Sequence, residues 1–337
     1  MGKLDDMTKE LYKDDLVFAD TINVLFFDGE QRIHAQDLSP LDTTEEHTIF
    51  DDECISVTEI DENADKSQSK AEAYSNQKYR DAVRLLQTQN GSLEVRIIVG
   101  AELQSHIHYA MPIRNFEYDA LNLSRQLSAR QKYNRENHLL RTQNEFLSGI
   151  KKGETFTPVL TVVVYFGKDA WDAPETLHEM LNLDGVPLTM RKYVPNYHTA
   201  LLQPSDVSPA QLTRMKSPLR HILGVIKASS NWQDMNDYVE QNQEALSHMD
   251  SLTAGIISEA CNMSIPKQEF EKEDVNMCNA LVEMKAIARS EGEAKGKIEG
   301  ELKGKVLAYL DCDKSDEWIM DHLQISQEKL DEIRDNQ

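Results

Sequence analysis

Two carboxylates separated by a hairpin give this sequence its clearest chemistry. Asp81 and Glu102 bracket two β-type runs, residues 83–87 and 93–99. The runs flank Asn90-Gly91, a dipeptide favoured in two-residue type I′ turns because both positions take positive φ. With that loop, paired residue numbers sum to 181, and Asp81 stands opposite Gly100. Side chains alternate along a strand, so Gly100, Glu102 and Gln104 share a face, and Asp81 lies diagonal to Glu102 with backbones ~7–8 Å apart. Both carboxylates can then reach one divalent cation, whose oxygen ligands lie at ~2.0–2.1 Å for Mg²⁺. Gln104 stands beside them, and Leu103 points the other way, into the core. Without a cation the two acids repel, and one protonates. Isolated Asp and Glu on a hairpin are more often plain surface residues, and geometry alone does not choose.

The surrounding segments must position this pair. A helix is expected from about Asp14 to Phe27, because Leu16, Ala19, Ile22 or Asn23, and Phe26 recur at helical spacing and Asp28-Gly29 supplies a stop. A short strand near Arg32–Ala35 follows. Residues 42–70 are dense in Asp, Glu, Ser, Asn and Gln and read as a solvated acidic insertion, with one short strand within 49–60. From His108 to Leu147 the pattern is helical, with two opposed stripes. Ile113, Phe116, Ala120, Leu123 and Leu127 form one, and Met111, Arg114, Tyr118, Leu121 and Arg125 the other. Only one of them can face a sheet. Pro158 to Phe166 is a near-continuous β-branched run, the pattern of a buried central strand, so an α/β core is expected. A loop follows over 168–174, then helices over about 208–283. Gly292, Gly296, Gly300 and Gly304 repeat every fourth residue in a charged tail, which reads either as a helix-pairing stripe or as a connector. The last stretch, 306–333, reads as two short helices separated by Leu323–Ser326. The resulting division is 1–183 with the insertion, a helical region 184–288, and the tail 289–337.

The charge balance looks hostile to nucleic acid: 36 Lys and Arg against 58 Asp and Glu, formally −22. It is unevenly spread. Residues 1–69 carry a net −14 and 148–337 a net −11, whereas residues 70–147, which hold the carboxylate pair, carry +3. Cys54, Cys261, Cys278 and Cys312 are far apart and form no C-x-x-C pair, which fits a reducing, cytoplasmic setting rather than a disulfide framework or thiolate zinc site. No segment has the ~20 apolar residues that span a bilayer, so no membrane insertion is expected. His106 and His108 share a strand face but lack a third ligand at useful spacing.

A resemblance emerges from the order of several motifs. Tyr79-Arg80-Asp81-Ala82-Val83, a hairpin, Glu102-Leu103-Gln104, Ala110-Met111-Pro112-Ile113-Arg114 and Tyr118-Asp119-Ala120-Leu121 follow one another. Phe18-Ala19-Asp20, Val164-Tyr165-Phe166-Gly167, Trp171, Leu177-His178-Glu179-Met180 and the tail repeats add to them. Together they resemble the transposase-like recombination-promoting nucleases (Rpn, YhgA-like) of the PD-(D/E)XK nuclease superfamily, over most of residues 14–305. The resemblance implies a restriction-endonuclease-like mixed sheet flanked by helices, followed by a helical C-terminal region. It implies Mg²⁺- or Mn²⁺-dependent hydrolysis of DNA phosphodiesters, associated with recombination or transposition. Asp81 matches the first-strand aspartate, Glu102 the second acid, and Gln104 the position that holds Lys in the wider superfamily. The Leu103 carbonyl would add a metal ligand, and Asp20 is an auxiliary acidic candidate. Arg114 and Tyr118, at i and i+4, would bind phosphate or buttress the site. Gln104 can orient water but cannot titrate or act as a cation, so the metal must do more.

Two other readings stand beside this one. A noncatalytic protein with a nuclease fold would act through its helical half and its glycine-striped tail, which could also pair two copies. A nuclease acting in phage defence would share the site and differ in substrate.

Overall fold

A computed structural model describes residues 2–41, 80–90 and 93–263. Beyond these it describes residues 265, 270, 274–278, 280, 281, 297, 300–310, 312, 315–323 and 325–335. The expected strand within 49–60, Tyr79, the Gly91 turn position, Gly292 and Gly296 lie outside the described residues. The chain divides into two compact units, Met1–Lys227 with Asp250–Asn262, and Ala228–Met249 with Met263–Gln337.

The first unit is α/β. Its mixed sheet of five strands runs β1 (Leu38–Pro40), β2 (Ala82–Asn90), β3 (Leu93–Gln104), β4 (Val159–Tyr165) and β5 (Ala200–Leu202), in that spatial order. The first two pairings are antiparallel and the last two parallel. Because β5 belongs to the sheet, this unit extends past residue 183. β4 is buried from Thr161 to Tyr165, as its β-branched run requires.

Helices cover both faces of the sheet. α1 (Lys3–Leu11) and α2 (Asp15–Phe27) come first, and α3 (Met111–Glu136) carries the chain from β3 to β4. α2 starts where the Asp14 side chain accepts from the Leu16 N–H and stops where Asp28 and Gly29 take positive φ. The expected strand near residues 32–35 does not form. The Asn23 amide engages that backbone instead, accepting from the Arg32 and Ile33 N–H groups and donating to the Ile33 carbonyl. With its polar groups bonded to α2, the segment passes through a short 3₁₀ turn, Ala35–Asp37, and pairs only at β1.

The expected helix over 108–147 is divided. α3 ends at Asn137, His138 takes φ +52°, and a capping box at Thr142 starts the short helix Gln143–Ser148. Of the two stripes, Met111 and Tyr118 are buried against the sheet, whereas Ile113, Phe116 and Leu123 are 39–44% exposed. The sheet-facing side also buries Asn115 and Asp119, because it carries a polar network as well as a core.

In the second unit, short helices include Trp232–Gln241 and Gln243–Ser247. A helical stretch over 300–310 and the helices Asp316–Leu323 and Gln327–Asp335 enclose a core of Val306, Ile319, Leu330 and Ile333. Among the described residues, no helix is long and apolar enough to cross a membrane.

Candidate functional site

The β2–β3 register differs by two from the one the sequence suggests. The pairs Ala82↔Ala101 and Asn90↔Leu93 give a sum of 183, not 181. Asn90 is therefore the last ladder residue rather than a loop residue. The two residues left between the strands, Gly91-Ser92, also suit a two-residue loop, since type II′ turns place Gly first. A shift of two preserves every face, which is why Glu102 and Gln104 keep their expected side. Continued one step past Ala82, the register sets Asp81 directly opposite Glu102 instead of Gly100. Asp81 itself has left the ladder, and its Oδ2 accepts from the Leu103 N–H at 2.9 Å.

The same bonds locate the Leu103 carbonyl. Ile98 N–H and the Gln104 carbonyl both bond toward the β4 side. Leu103 N–H bonds toward Asp81, and along a strand the N–H and C=O of one residue leave on the same edge. The Leu103 carbonyl thus leaves on the Asp81 side, beyond the end of the β2 ladder, while its side chain is buried.

Glu102 is fully buried. The Arg114 guanidinium stands 2.9 Å from Oε2, yet neither carboxylate oxygen receives a hydrogen bond. Burial, reinforced by the Asp81 charge, pushes the Glu102 carboxyl up to about 8 against the opposing effects of Arg114, Arg80 and Lys9. Arg114 donates to the Tyr118 hydroxyl at 3.1 Å. Burial opposes the Arg114 charge, but Glu102 and this hydrogen bond outweigh it and raise the guanidinium above its ordinary value. Burial and the neighbouring Glu102 raise the Tyr118 phenol. Arg114 thus stands beside Glu102, with Tyr118 hydrogen-bonded to it.

Tyr118 is also in cation–π contact with a second guanidinium, Arg80, whose Cζ lies 5.5 Å from the ring centroid. Arg80 donates to Asp119 Oδ1 at 2.7 Å, and Thr161 and Tyr197 donate to the same carboxylate at 2.7 Å each. Arg80 lies against Gly100, where a Cβ would fall 2.4 Å from its Cδ. Glycine on β3 is what lets this side chain cross the sheet.

Lys9 of α1 was not legible as a site residue. Its Nζ stands 3.0 Å from Asp81 Oδ1. α1 is fixed on both sides of it. Asp5 accepts from the Ser105 hydroxyl at 2.7 Å, and Arg84 donates to the carbonyls of Tyr12 at 3.0 Å and Lys13 at 3.3 Å. The helical spacing of Leu4, Thr8 and Leu11 is the signal that could have revealed α1. Arg80 and Asp119 lie in the quoted motifs beside Asp81 and Tyr118, but no spacing signals that they bond to each other.

Asp20 is not brought to the pair. It is fully buried on α2, where Oδ1 accepts from Gln31 at 2.9 Å and Oδ2 from the Lys216 and Ser217 N–H groups at 2.8 and 2.7 Å. Those bonds make it a structural tie. Gln104 lies on the same face as Glu102, two residues along, and makes no side-chain hydrogen bond among the described residues.

Two carboxylates and a carbonyl form a hard-oxygen donor set suited to Mg²⁺ or Mn²⁺, and the two unsatisfied oxygens of buried Glu102 are what such an ion would complete. Among the described residues no group of three or more His, Cys, Asp or Glu side chains could hold a metal. No family model, curated protein or solved structure matches the chain.

Proposed function

We propose that the chain is a divalent-metal-dependent endodeoxyribonuclease of the recombination-promoting type, with a restriction-endonuclease-like fold, working in the cytoplasm. The observation that carries this reading is the bond from the Leu103 N–H to Asp81, which sets Asp81 beside Glu102, with both Glu102 oxygens buried and without hydrogen-bond donors. Asp81, Glu102 and the Leu103 carbonyl would hold Mg²⁺ or Mn²⁺. The ion would supply polarisation of the phosphate and a lowered pKa for bound water. Gln104 orients the water by hydrogen bonding and carries no proton itself. Arg114 and Tyr118 hold Glu102 in place from α3, and Arg80 with Asp119 supports Tyr118 from behind. The overall charge then limits DNA binding to a weak, salt-sensitive contact near the basic segment. The test is nicking of supercoiled plasmid with Mg²⁺ or Mn²⁺. Wild-type protein nicks, and Asp81→Asn or Glu102→Gln loses the activity while remaining folded, with a thermal transition no lower than that of wild type. Equal nicking by both variants would end this assignment.

The noncatalytic reading draws on a different observation, the exposed Ile113, Phe116 and Leu123 on α3. If that face is what the protein uses, Ile113→Asp with Phe116→Asp abolishes partner capture while Asp81→Asn does not. A second copy is the proposed partner of the tail, where open space surrounds the Cβ positions of Gly300 and Gly304. Sedimentation of the full chain against one truncated after residue 296 tests it.

A further inference from the structure

We propose that Lys9 is a catalytic residue of the nuclease site, supplying from α1 the cation that the Gln104 position lacks. This rests on the nuclease reading above. Three observations carry it. The ammonium is 3.0 Å from an oxygen of Asp81, within reach of a phosphate bound beside that carboxylate. It is placed rather than adventitious, because the Asp5–Ser105 bond and the Arg84 bonds to the Tyr12 and Lys13 carbonyls fix α1 on either side of it. And it is the more exposed of the pair, the Lys9 side chain being 28% exposed and that of Asp81 13%, so a polyanion can reach it.

The chemistry asks for such a group. In phosphodiester hydrolysis the water oxygen forms a bond to phosphorus, and the bond from phosphorus to one sugar oxygen breaks. One water proton ends on the released sugar hydroxyl and the other passes to solvent, leaving a phosphomonoester. Negative charge builds on the non-bridging oxygens as the new bond forms. A fixed ammonium there stabilises that charge without gaining or losing a proton. Glutamine cannot do this, and Arg114 is turned to Glu102.

Lys9→Met and Lys9→Arg, compared with wild type and Asp81→Asn, test the assignment in two ways. In plasmid nicking, Lys9→Met is expected to lose about 10²–10³-fold in rate, the usual cost of removing one donor to a developing oxyanion, and Lys9→Arg to recover most of it. In metal-free buffer, binding of a short duplex followed by anisotropy against salt should lose about one unit of log–log slope in Lys9→Met, as for one lost phosphate contact. Thermal melting is run alongside, and Lys9→Gln replaces Lys9→Met if the latter alters the transition. Lys9→Met nicking within threefold of wild type, or an unchanged salt slope, overturns the role of Lys9 alone. Absence of nicking by wild type overturns the nuclease reading and the role of Lys9 with it.

Discussion

Replacing Glu102 by Gln should remove a pH dependence of stability that one buried carboxyl imposes on the first unit. The Glu102 carboxyl has an ordinary value near 4.5 and is pushed up to about 8 in the folded chain. Below about pH 4.5 both states hold the proton, and the group leaves stability unchanged. Between about 4.5 and about 8 the unfolded chain has released the proton and the folded chain keeps it, so stability falls with rising pH. At about 1.4 kcal/mol per pH unit across that interval, the loss approaches roughly 5 kcal/mol by pH 8 as an upper bound. About half of it falls between pH 6 and 8. Trp171, buried in this unit against Tyr165 at a centroid distance of 5.3 Å, is the reporter, with Trp232 and Trp318 replaced by Phe. Denaturant midpoints of wild type and Glu102→Gln should be similar near pH 4.5 and diverge steadily as the pH rises toward 8, with the variant the more stable. Parallel pH profiles for the two proteins would refute the buried, protonated Glu102.

Two further substitutions separate the site from its scaffold. Gly100→Ala would set a Cβ 2.4 Å from Arg80 Cδ and displace Arg80 from Asp119, costing about 1–3 kcal/mol in the first-unit transition; an unchanged melting temperature would mean that Arg80 does not lie across β3. Asp20→Ala leaves the Lys216 and Ser217 N–H groups without their acceptor, at about 1–3 kcal/mol for each buried group, and should leave Mn²⁺ affinity by calorimetry as it was.

The sequence reading was strongest where a segment's own chemistry decides its structure. Asp14, Asp28 and Gly29 bound α2, and the β-branched run Val162-Val163-Val164 sets β4 deep in the sheet. It was weaker where two local solutions compete. Asn90-Gly91 and Gly91-Ser92 both suit a two-residue turn, and the choice shifts the register by two, so that Asp81 leaves the ladder and bonds to the Leu103 N–H instead of facing Gly100. Faces survived that error because the shift was even. It failed where long-range polar bonds decide. Asn23 captured the backbone at residues 32–33, and Asp119 on α3 turned inward to Arg80, Thr161 and Tyr197. Asp20 looked like an auxiliary acid and is a tie to residues 216–217, nearly two hundred positions away, a contact no periodicity reveals.

Asp81 and Glu102 are proposed to hold one divalent cation beside the end of β3. Crystals grown with Mn²⁺ and measured at its absorption edge show directly whether they do. One anomalous peak bonded to carboxylate oxygens of both residues and to the Leu103 carbonyl is expected, and its loss in Asp81→Asn. A peak elsewhere in the first unit, or none with Mn²⁺ in excess, would contradict the proposal.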